Sequence, residues 1–220
     1  MHGLRATFDK EYDAICQDLL NMGALVENAI GEAVQAYQKL DFDLAQQIIK
    51  NDEQINQLRF KIEEACVVLI ATQQPAAKDL RAIIAVMHMV LELERMGDHA
   101  AGIAKTVLKM EEEPEIKTLK KIPKMGELSR QMLSDCLQAF IKQDAAWAKE
   151  IAARDDQMDE LYHSVFQRLI EIMVDKPNRV TRATYIMWCA HNLERIADRV
   201  TNIAEQILFM TTGQMGELQA

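Results

Sequence analysis

The residues that most clearly suggest chemistry are two carboxylate pairs with the same spacing, Glu94 with Asp98 and Glu194 with Asp198. Side chains four positions apart lie on the same face of a helix, so each pair would bring two negative charges together. Like charges at this spacing cost a helix about 0.2–0.5 kcal/mol. A hard cation held by both carboxylates would turn the repulsion into coordination. The repeated spacing therefore indicates two candidate metal sites.

The second pair belongs to a longer polar stripe. Helical spacing places three further potential ligands on its face, namely His191, Asn202 and Glu205. The corresponding residues of the first copy are Leu91, Gly102 and Lys105. The apolar stripe of each helix points the other way, so we expect both carboxylate pairs to face outwards. The second copy is the richer candidate site.

A preceding helix could complete each site. Asp52 lies 23 residues before Pro75, and Glu94 and Asp98 lie 19 and 23 residues after it. Groups equidistant from the turn of an antiparallel hairpin lie at the same height, which also places Asp155 and Asp159 beside the second pair. Asp155, however, falls on the apolar stripe of its own helix, so helical geometry leaves open whether both helices reach one ion. The predicted metal ligands are Glu94, Asp98, Glu194, Asp198, Asn202, Asp52, Asp155 and Asp159.

Three functions are compatible with such carboxylates. The first is a non-enzymatic adaptor that binds Fe, Mn, Mg or Ca, because all-oxygen sites favour hard ions. The second is a carboxylate-bridged di-metal oxidase or storage bundle, although its Glu-x-x-His pattern occurs here only as Glu160 and His163. The third is an adaptor without metal, whose acidic faces dock a basic partner. We favour the first because the sequence has no nucleophile or nucleotide-binding signature.

Composition predicts that helices position these residues. The chain has 220 residues with only 5% aromatics and 4 prolines, which is typical of an all-α protein. Its net charge of -9 argues against a role in nucleic-acid binding, because the surface would repel phosphates. The longest apolar run, Ala82 to Leu91, is too short to cross a membrane, and no signal peptide is recognisable. With four widely spaced cysteines, these features predict a cytoplasmic protein.

Apolar periodicity predicts two sets of three helices. The first set comprises a helix through Ile15–Leu40, a second that ends near Gln74, and a third over about 78–110. Asp41 or Asp43 would cap the second helix. The second set comprises helices over 128–141, 145–174 and 181–211.

The two sets are an internal duplication. Asp52–Leu58 matches Asp155–Leu161 at an offset of 103 residues, and Leu93–Asp98 matches Leu193–Asp198 at an offset of 100. We therefore predict two tandem three-helix bundles, at residues 1–112 and 127–220. The charged, proline-containing segment 113–126 is predicted to be a linker.

The chain resembles the PhoU family of phosphate-signalling regulators from Phe8 to about Met210. Four stretches carry the resemblance: Leu19–Gly23, Gln74–Arg81, Leu93–Asp98 and Asn192–Glu205. The resemblance implies tandem three-helix bundles, commonly dimeric, with metal clusters at the Glu-x-x-x-Asp motifs, here Glu94/Asp98 and Glu194/Asp198. Two positions depart from the family pattern, Asn56 and the segment 101–105, and both weaken the first site.

The resemblance also implies a function and partners. PhoU-like proteins act as negative regulators of the phosphate response. They are thought to link a phosphate ABC transporter, through its ATPase subunit, to a membrane sensor histidine kinase. For this chain we accordingly expect a homodimer that contacts the membrane only through those partners.

Overall fold

All regular structure in the described part of the chain is helical. The structure, a computed structural model, describes residues 2–116 and 119–214. The helices are α1 His2–Lys39, α2 Phe42–Gln73, α3 Ala77–Leu108, α4 Lys121–Lys142, α5 Ala145–Ala152, α6 Asp155–Asp175 and α7 Val180–Thr212, with a 3-10 turn at Pro177–Arg179. Helices α1 to α3 form one three-helix bundle, and α4 to α7 form a second. Among the described helices, none is both long and apolar enough to span a lipid bilayer.

Matching turns begin the second helix of each bundle. Leu40 and Gln143 both adopt a left-handed conformation with φ of 52°. The next residue, Asp41 or Asp144, then caps the following helix, because its carboxylate accepts a hydrogen bond of 3.0 Å from the amide three residues on. Asp41 is therefore the cap, rather than Asp43. These turns lie 103 residues apart, the offset seen in the sequence.

The predicted helix over 145–174 is wrong in one respect, because it is divided at Ala153 and Arg154. Both residues stay right-handed, but their ψ values are near -9°. The amide of Arg154 bonds to the carbonyl of Ile151, three residues back, so the chain tightens into a 3-10-type turn there. Arg154 also reaches Asp135 on α4 with an ion pair of 2.5 Å. A tightened turn keeps the helical direction, so hydrophobic periodicity does not reveal it.

The predicted linker over 113–126 is too long at its far end, because α4 begins at Lys121. Pro123 lies in the first helical turn, where the amide that proline lacks would have no helical partner anyway. Ile122 and Met125 are buried, which ties this turn to the core. Reading Pro123 as a helix breaker caused the error. Residues 117 and 118 lie outside the described residues.

Two glycines bring the bundles close together along α1 and α4. A Cβ atom at Gly23 would lie 2.4 Å from Leu137, and one at Gly126 would lie 2.4 Å from Val34. Gly126 lies 103 residues after Gly23, and Leu137 lies 103 residues after Val34, so the two contacts are related by the duplication. The helices run antiparallel here.

Helices α3 and α7 form the other contact between the bundles. Glu92 of α3 accepts hydrogen bonds from Arg199 at 3.2 Å and from Asn202 at 3.1 Å. At the duplicated positions, His99 Nδ1 lies 3.0 Å from Asn192 Oδ1. Glu92 matches Asn192, and His99 matches Arg199, at the offset of 100 residues. We call these five residues the α3–α7 clasp. It leaves α2 and α6 on the outside of the molecule, next to the helices that carry the carboxylate pairs.

Candidate functional site

Four carboxylates gather where α6 lies along α7. Asp155 and Asp159 belong to α6, and Glu194 and Asp198 belong to α7. The pKa of Asp155 is raised to about 6, first by burial and then by the negative charges of Asp198, Asp159 and Glu194. The four carboxylates are therefore neighbours, although they do not converge on one point in the described structure. We call this group the second-repeat cluster.

Two oxygen atoms of this cluster are buried without a hydrogen-bond donor. They are Oδ1 of Asp155 and Oε2 of Glu194. The imidazole Nδ1 of His191 lies 3.4 Å from the latter. Burial, followed by the charge of Asp198, raises the pKa of Glu194. Buried anionic oxygens without partners are unfavourable, so each of the two would be stabilised by a cation placed beside it.

The other predicted ligands of the second repeat have protein partners. Asp198 forms an ion pair with Arg195, one turn back on the same helix. The amide nitrogen of Asn202 donates to Glu92, across the contact between the bundles. Asp159 is exposed at the edge of the cluster. Arg195 contacts Oδ2 of Asp198, which leaves Oδ1 as the oxygen that could ligate a cation.

A matching group lies between α2 and α3, formed by Asp52, Glu94 and Asp98. Burial raises the pKa of Asp52, and the charges of Asp98 and Glu94 add to the effect. The helices approach closely here because Gly97 has no side chain: a Cβ atom there would lie 3.2 Å from Oδ1 of Asp52. Asp98 is exposed. We call this group the first-repeat cluster.

The first-repeat cluster contains its own cations. Arg59 of α2 donates to Glu94 at 2.9 Å and to Glu63 at 3.2 Å. Lys105 also acts on the cluster, because its positive charge opposes the rise in the pKa of Asp52. Arg59 was missed by our sequence reasoning. The duplication could have revealed it, since Arg59 aligns with Tyr162 at the offset of 103 residues.

The two clusters therefore differ in how well they suit a metal ion. As the side chains lie, no three His, Cys, Asp or Glu residues within 2–116 and 119–214 converge closely enough to hold one. The second-repeat cluster nevertheless has the oxygen donors of a hard-ion site, and two of its buried oxygens have no donor. In the first-repeat cluster, the guanidinium of Arg59 already binds Glu94. Of the two clusters, only that of the second repeat has buried carboxylate oxygens without a protein donor among the described residues, which makes it the better candidate for a hard cation.

The residues that resemble a di-iron motif follow Asp159 on α6 and do not face the core. Glu160 and His163 are exposed on α6. The ring of His163 is 2.7 Å from the amide of Gln167 on the same helix. The described core of the molecule is built almost entirely from aliphatic side chains and methionines. These core residues include no carboxylate or histidine, which are the ligands that a carboxylate-bridged di-metal centre requires.

Comparison with known proteins gives a consistent result over nearly the whole chain. The PhoU domain family matches residues 19–107 and 122–207. A Streptococcus pneumoniae protein named phosphate-specific transport system accessory protein PhoU homolog is 37% identical over 215 residues, which is 98% of this chain and 100% of that protein. The Escherichia coli protein named phosphate-specific transport system accessory protein PhoU is 33% identical over 207 residues, or 94% and 86%.

A solved structure supports the same relationship. The crystal structure of the phosphate transport system regulatory protein PhoU from Streptococcus pneumoniae matches with a TM-score of 0.89 and 36% sequence identity. The match covers 95% of this chain and 99% of that one. Sequence and fold agree over both bundles, and the chain belongs to the PhoU family.

Proposed function

We propose that this chain is a non-enzymatic accessory protein of a phosphate transport system. The observation that carries the proposal is the full-length similarity to proteins named for that role, at 37% identity over 98% of the chain. The geometry is compatible with it, because each cluster includes an exposed carboxylate that a partner could reach, Asp98 in the first and Asp159 in the second. A second candidate, the di-metal oxidase or storage bundle, has no supporting observation.

The proposed role is that of a cytoplasmic negative regulator. The chain would form a homodimer, contact the ATPase subunit of a phosphate ABC transporter, and pass the state of the transporter to a sensor histidine kinase. The names of the similar proteins support the association with a phosphate transport system, whereas the homodimer and the kinase rest on the resemblance to the PhoU family. A surface with a net charge of -9 also suits docking onto basic protein patches.

The second-repeat cluster is the proposed metal site. Asp155, Asp159, Glu194 and Asp198 would hold a hard cation such as Fe, Mn, Mg or Ca. The bound ion would supply positive charge at the surface, where it could attract an anionic group of a partner. Asn202 lies next to this site but donates to Glu92.

The first-repeat cluster is proposed to do without a metal. Arg59 and Lys105 supply the positive charge that Asp52, Glu94 and Asp98 require. The two repeats would then keep similar carboxylates but neutralise them differently.

Co-purification tests this function directly. The tagged ATPase subunit of the transporter from the same genome is used to capture the chain, with and without prior removal of metal. We expect capture of the wild type and at least about tenfold weaker capture of Asp155→Ala/Glu194→Ala, since charge-mediated contacts dominate. Glu150→Ala/Glu160→Ala removes two exposed carboxylates outside the cluster and should behave as the wild type.

Failure of the wild type to be captured at low salt contradicts the transport role. Capture that high salt abolishes and metal removal leaves unchanged would instead support the adaptor without metal. A phosphate-starvation reporter that stays repressed after deletion of the gene contradicts negative regulation.

A further inference from the structure

A basic pocket lies far from both carboxylate clusters, where α6 ends beside the start of α4. Its volume is about 350 Å³, and its rim carries Lys120, Arg168, Lys176 and Arg179. At 1.5 Å per residue, it lies about 25 Å along α6 from Asp155. Four cations around one opening are unexpected on a chain with a net charge of -9.

Most of this positive charge is not neutralised by the protein. Arg168 forms an exposed ion pair of 2.6 Å with Glu171. Lys120, Lys176 and Arg179 form no ion pair with any residue that the structure describes. Among the described residues, the pocket lining contains one carboxylate, that of Asp175. The pocket is therefore a local region of positive charge, which would attract anions from solution.

The floor of the pocket is apolar. Ile116, Leu119 and Ile172 line it, and Ile116 is buried. The volume falls within the range of about 300–1,000 Å³ that is usual for sites that bind organic molecules. The amino end of α4 adds to the positive character, because no side chain caps it and no acidic residue lies in its first turn. This combination suits a ligand with both an anionic and an apolar part.

The pocket is not required to build a bundle of this kind. Arg168 matches Ala65 of the first repeat at the offset of 103 residues. When Pro177 is aligned with Pro75, Lys176 matches Gln74 and Arg179 matches Ala77. None of these three carries a charge. The first bundle folds without the cations, so their presence in the second bundle calls for another explanation.

We propose that this pocket binds a small phosphoryl-bearing ligand, with the cations contacting its phosphoryl oxygens. Guanidinium groups bind phosphate through paired hydrogen bonds, and lysines add point charges. Either a chain of inorganic phosphates or a nucleoside polyphosphate has this chemistry. The inference rests on the proposed function in one respect, because a phosphoryl ligand would give a phosphate-transport accessory protein a direct signal of phosphate supply.

Calorimetric titration of the metal-free, full-length protein tests the site. The probes are inorganic phosphate, tripolyphosphate and ATP, each at low and moderate salt. We expect tripolyphosphate or ATP to bind, and Lys176→Ala/Arg179→Ala to weaken binding by about tenfold or more. Tighter binding of ATP than of tripolyphosphate identifies an organic ligand that uses the apolar floor, whereas the reverse identifies an inorganic one.

The matched control is Lys50→Ala/Lys149→Ala, which removes two exposed lysines elsewhere on the surface. Equal loss of binding in both double variants, or no binding of any probe to the wild type, overturns the proposal. Arg168→Gln provides a second variant at an exposed position, and thermal unfolding checks that each variant is folded.

Capture by the transporter ATPase subunit is measured separately on the same variants. If Lys176→Ala/Arg179→Ala keeps that capture but no longer binds the probes, the ligand site and the transport role are shown to be separate properties. If the wild type binds the probes but no transporter subunit, the proposed function is contradicted, whereas the proposed ligand site is supported.

Discussion

At the scale of single residues, the same Glu-x-x-x-Asp motif is used in two different environments. In the first repeat, Arg59 donates to Glu94. In the second repeat, the aligned residue is Tyr162, whose pKa is raised by burial and by the charge of Glu194. A tyrosine supplies no positive charge, so Asp155 and Glu194 keep buried oxygens without donors. Together with Asp159, which Asn56 replaces in the first repeat, this difference makes the second repeat the better candidate for a metal site.

Asp155→Asn should change how stability depends on pH. The carboxyl group has a pKa of about 6 in the folded metal-free protein, against an ordinary value of 3.8. A raised pKa means that folding favours the protonated form, so this contribution is complete below about pH 4 and is lost as the pH rises through about 6. Metal-free wild type should therefore lose stability relative to Asp155→Asn between pH 4.5 and 7.5.

Urea unfolding at both pH values measures this effect. Asp156→Asn removes the neighbouring, exposed carboxylate and serves as the control. The prediction is contradicted if the free energies of unfolding of the wild type and Asp155→Asn differ by the same amount at pH 4.5 and at pH 7.5. The burial of Asp155 would then be unimportant.

Arg59→Gln should open the first-repeat cluster to metal. It removes the cation bound to Glu94 and keeps a polar side chain of similar reach. We expect the metal content per chain to rise, approximately doubling if each cluster holds the same number of ions. The matched control is Lys61→Gln, which removes an exposed cation from the same helix. Elemental analysis provides the measurement, and an unchanged metal content would show that Arg59 does not block the site.

At the scale of helices, periodicity and turn chemistry predicted most of the fold. The turn at Asp41, the helix end near Gln74 and the limits of α3 and α7 all follow from capping residues, prolines and apolar spacing. The interruption at Ala153 could not be predicted, because it depends on a tightened turn and on the contact between Arg154 and Asp135. The equal distances of the carboxylates from the turns between the helices predicted that Asp52 would lie beside Glu94 and Asp98, and Asp155 beside Glu194 and Asp198. The structure places them as neighbours in this way. That these carboxylates bind metal stays a prediction.

Gly126→Ala should force α1 and α4 apart. The new methyl group would lie 2.4 Å from a methyl of Val34, a β-branched residue that cannot easily rotate away. Overpacking of this kind costs about 1–3 kcal/mol, although alanine recovers about 1 kcal/mol of helix propensity. We expect a net loss of stability, and Val34→Ala should reverse most of it.

Thermal and urea unfolding of both single variants and the double variant test this contact. Gly31→Ala, on the same helix as Val34, is a useful control, because its methyl group would meet only the side chain of Arg130, at 3.3 Å. Equal effects of Gly126→Ala and Gly31→Ala would mean that the close approach of α1 and α4 is unimportant for stability.

At the scale of the whole molecule, the duplication is also visible in how the bundles pack. The contacts of Gly23 and Gly126, and those of Glu92 and Asn192, are related pairs on opposite sides of the interface. Sequence periodicity shows which face of a helix is buried, but not which other helix covers it. The pairing of α1 with α4 and of α3 with α7 was therefore not predictable from helical wheels.

Glu92→Ala should weaken the α3–α7 clasp. It leaves Arg199, whose side chain is only 18% exposed, without its carboxylate partner. Loss of one member of such a pair costs about 1–3 kcal/mol. A double-mutant cycle with Arg199→Ala should give a coupling energy of at least about 0.5 kcal/mol. As a control, Glu171→Ala removes one member of an exposed ion pair with Arg168 and should have little effect on stability. Strictly additive effects of Glu92→Ala and Arg199→Ala on the free energy of unfolding would argue against the clasp.

Metal-dependent anomalous scattering tests the central claim most directly, namely that the second repeat holds a hard cation that the first repeat replaces with arginine. Crystals of the protein loaded with manganese or iron should show a peak beside Asp155 and Glu194. Glu94 should remain paired with Arg59 and show none. Peaks of equal height at both clusters, or only water beside Asp155 and Glu194, would contradict the claim.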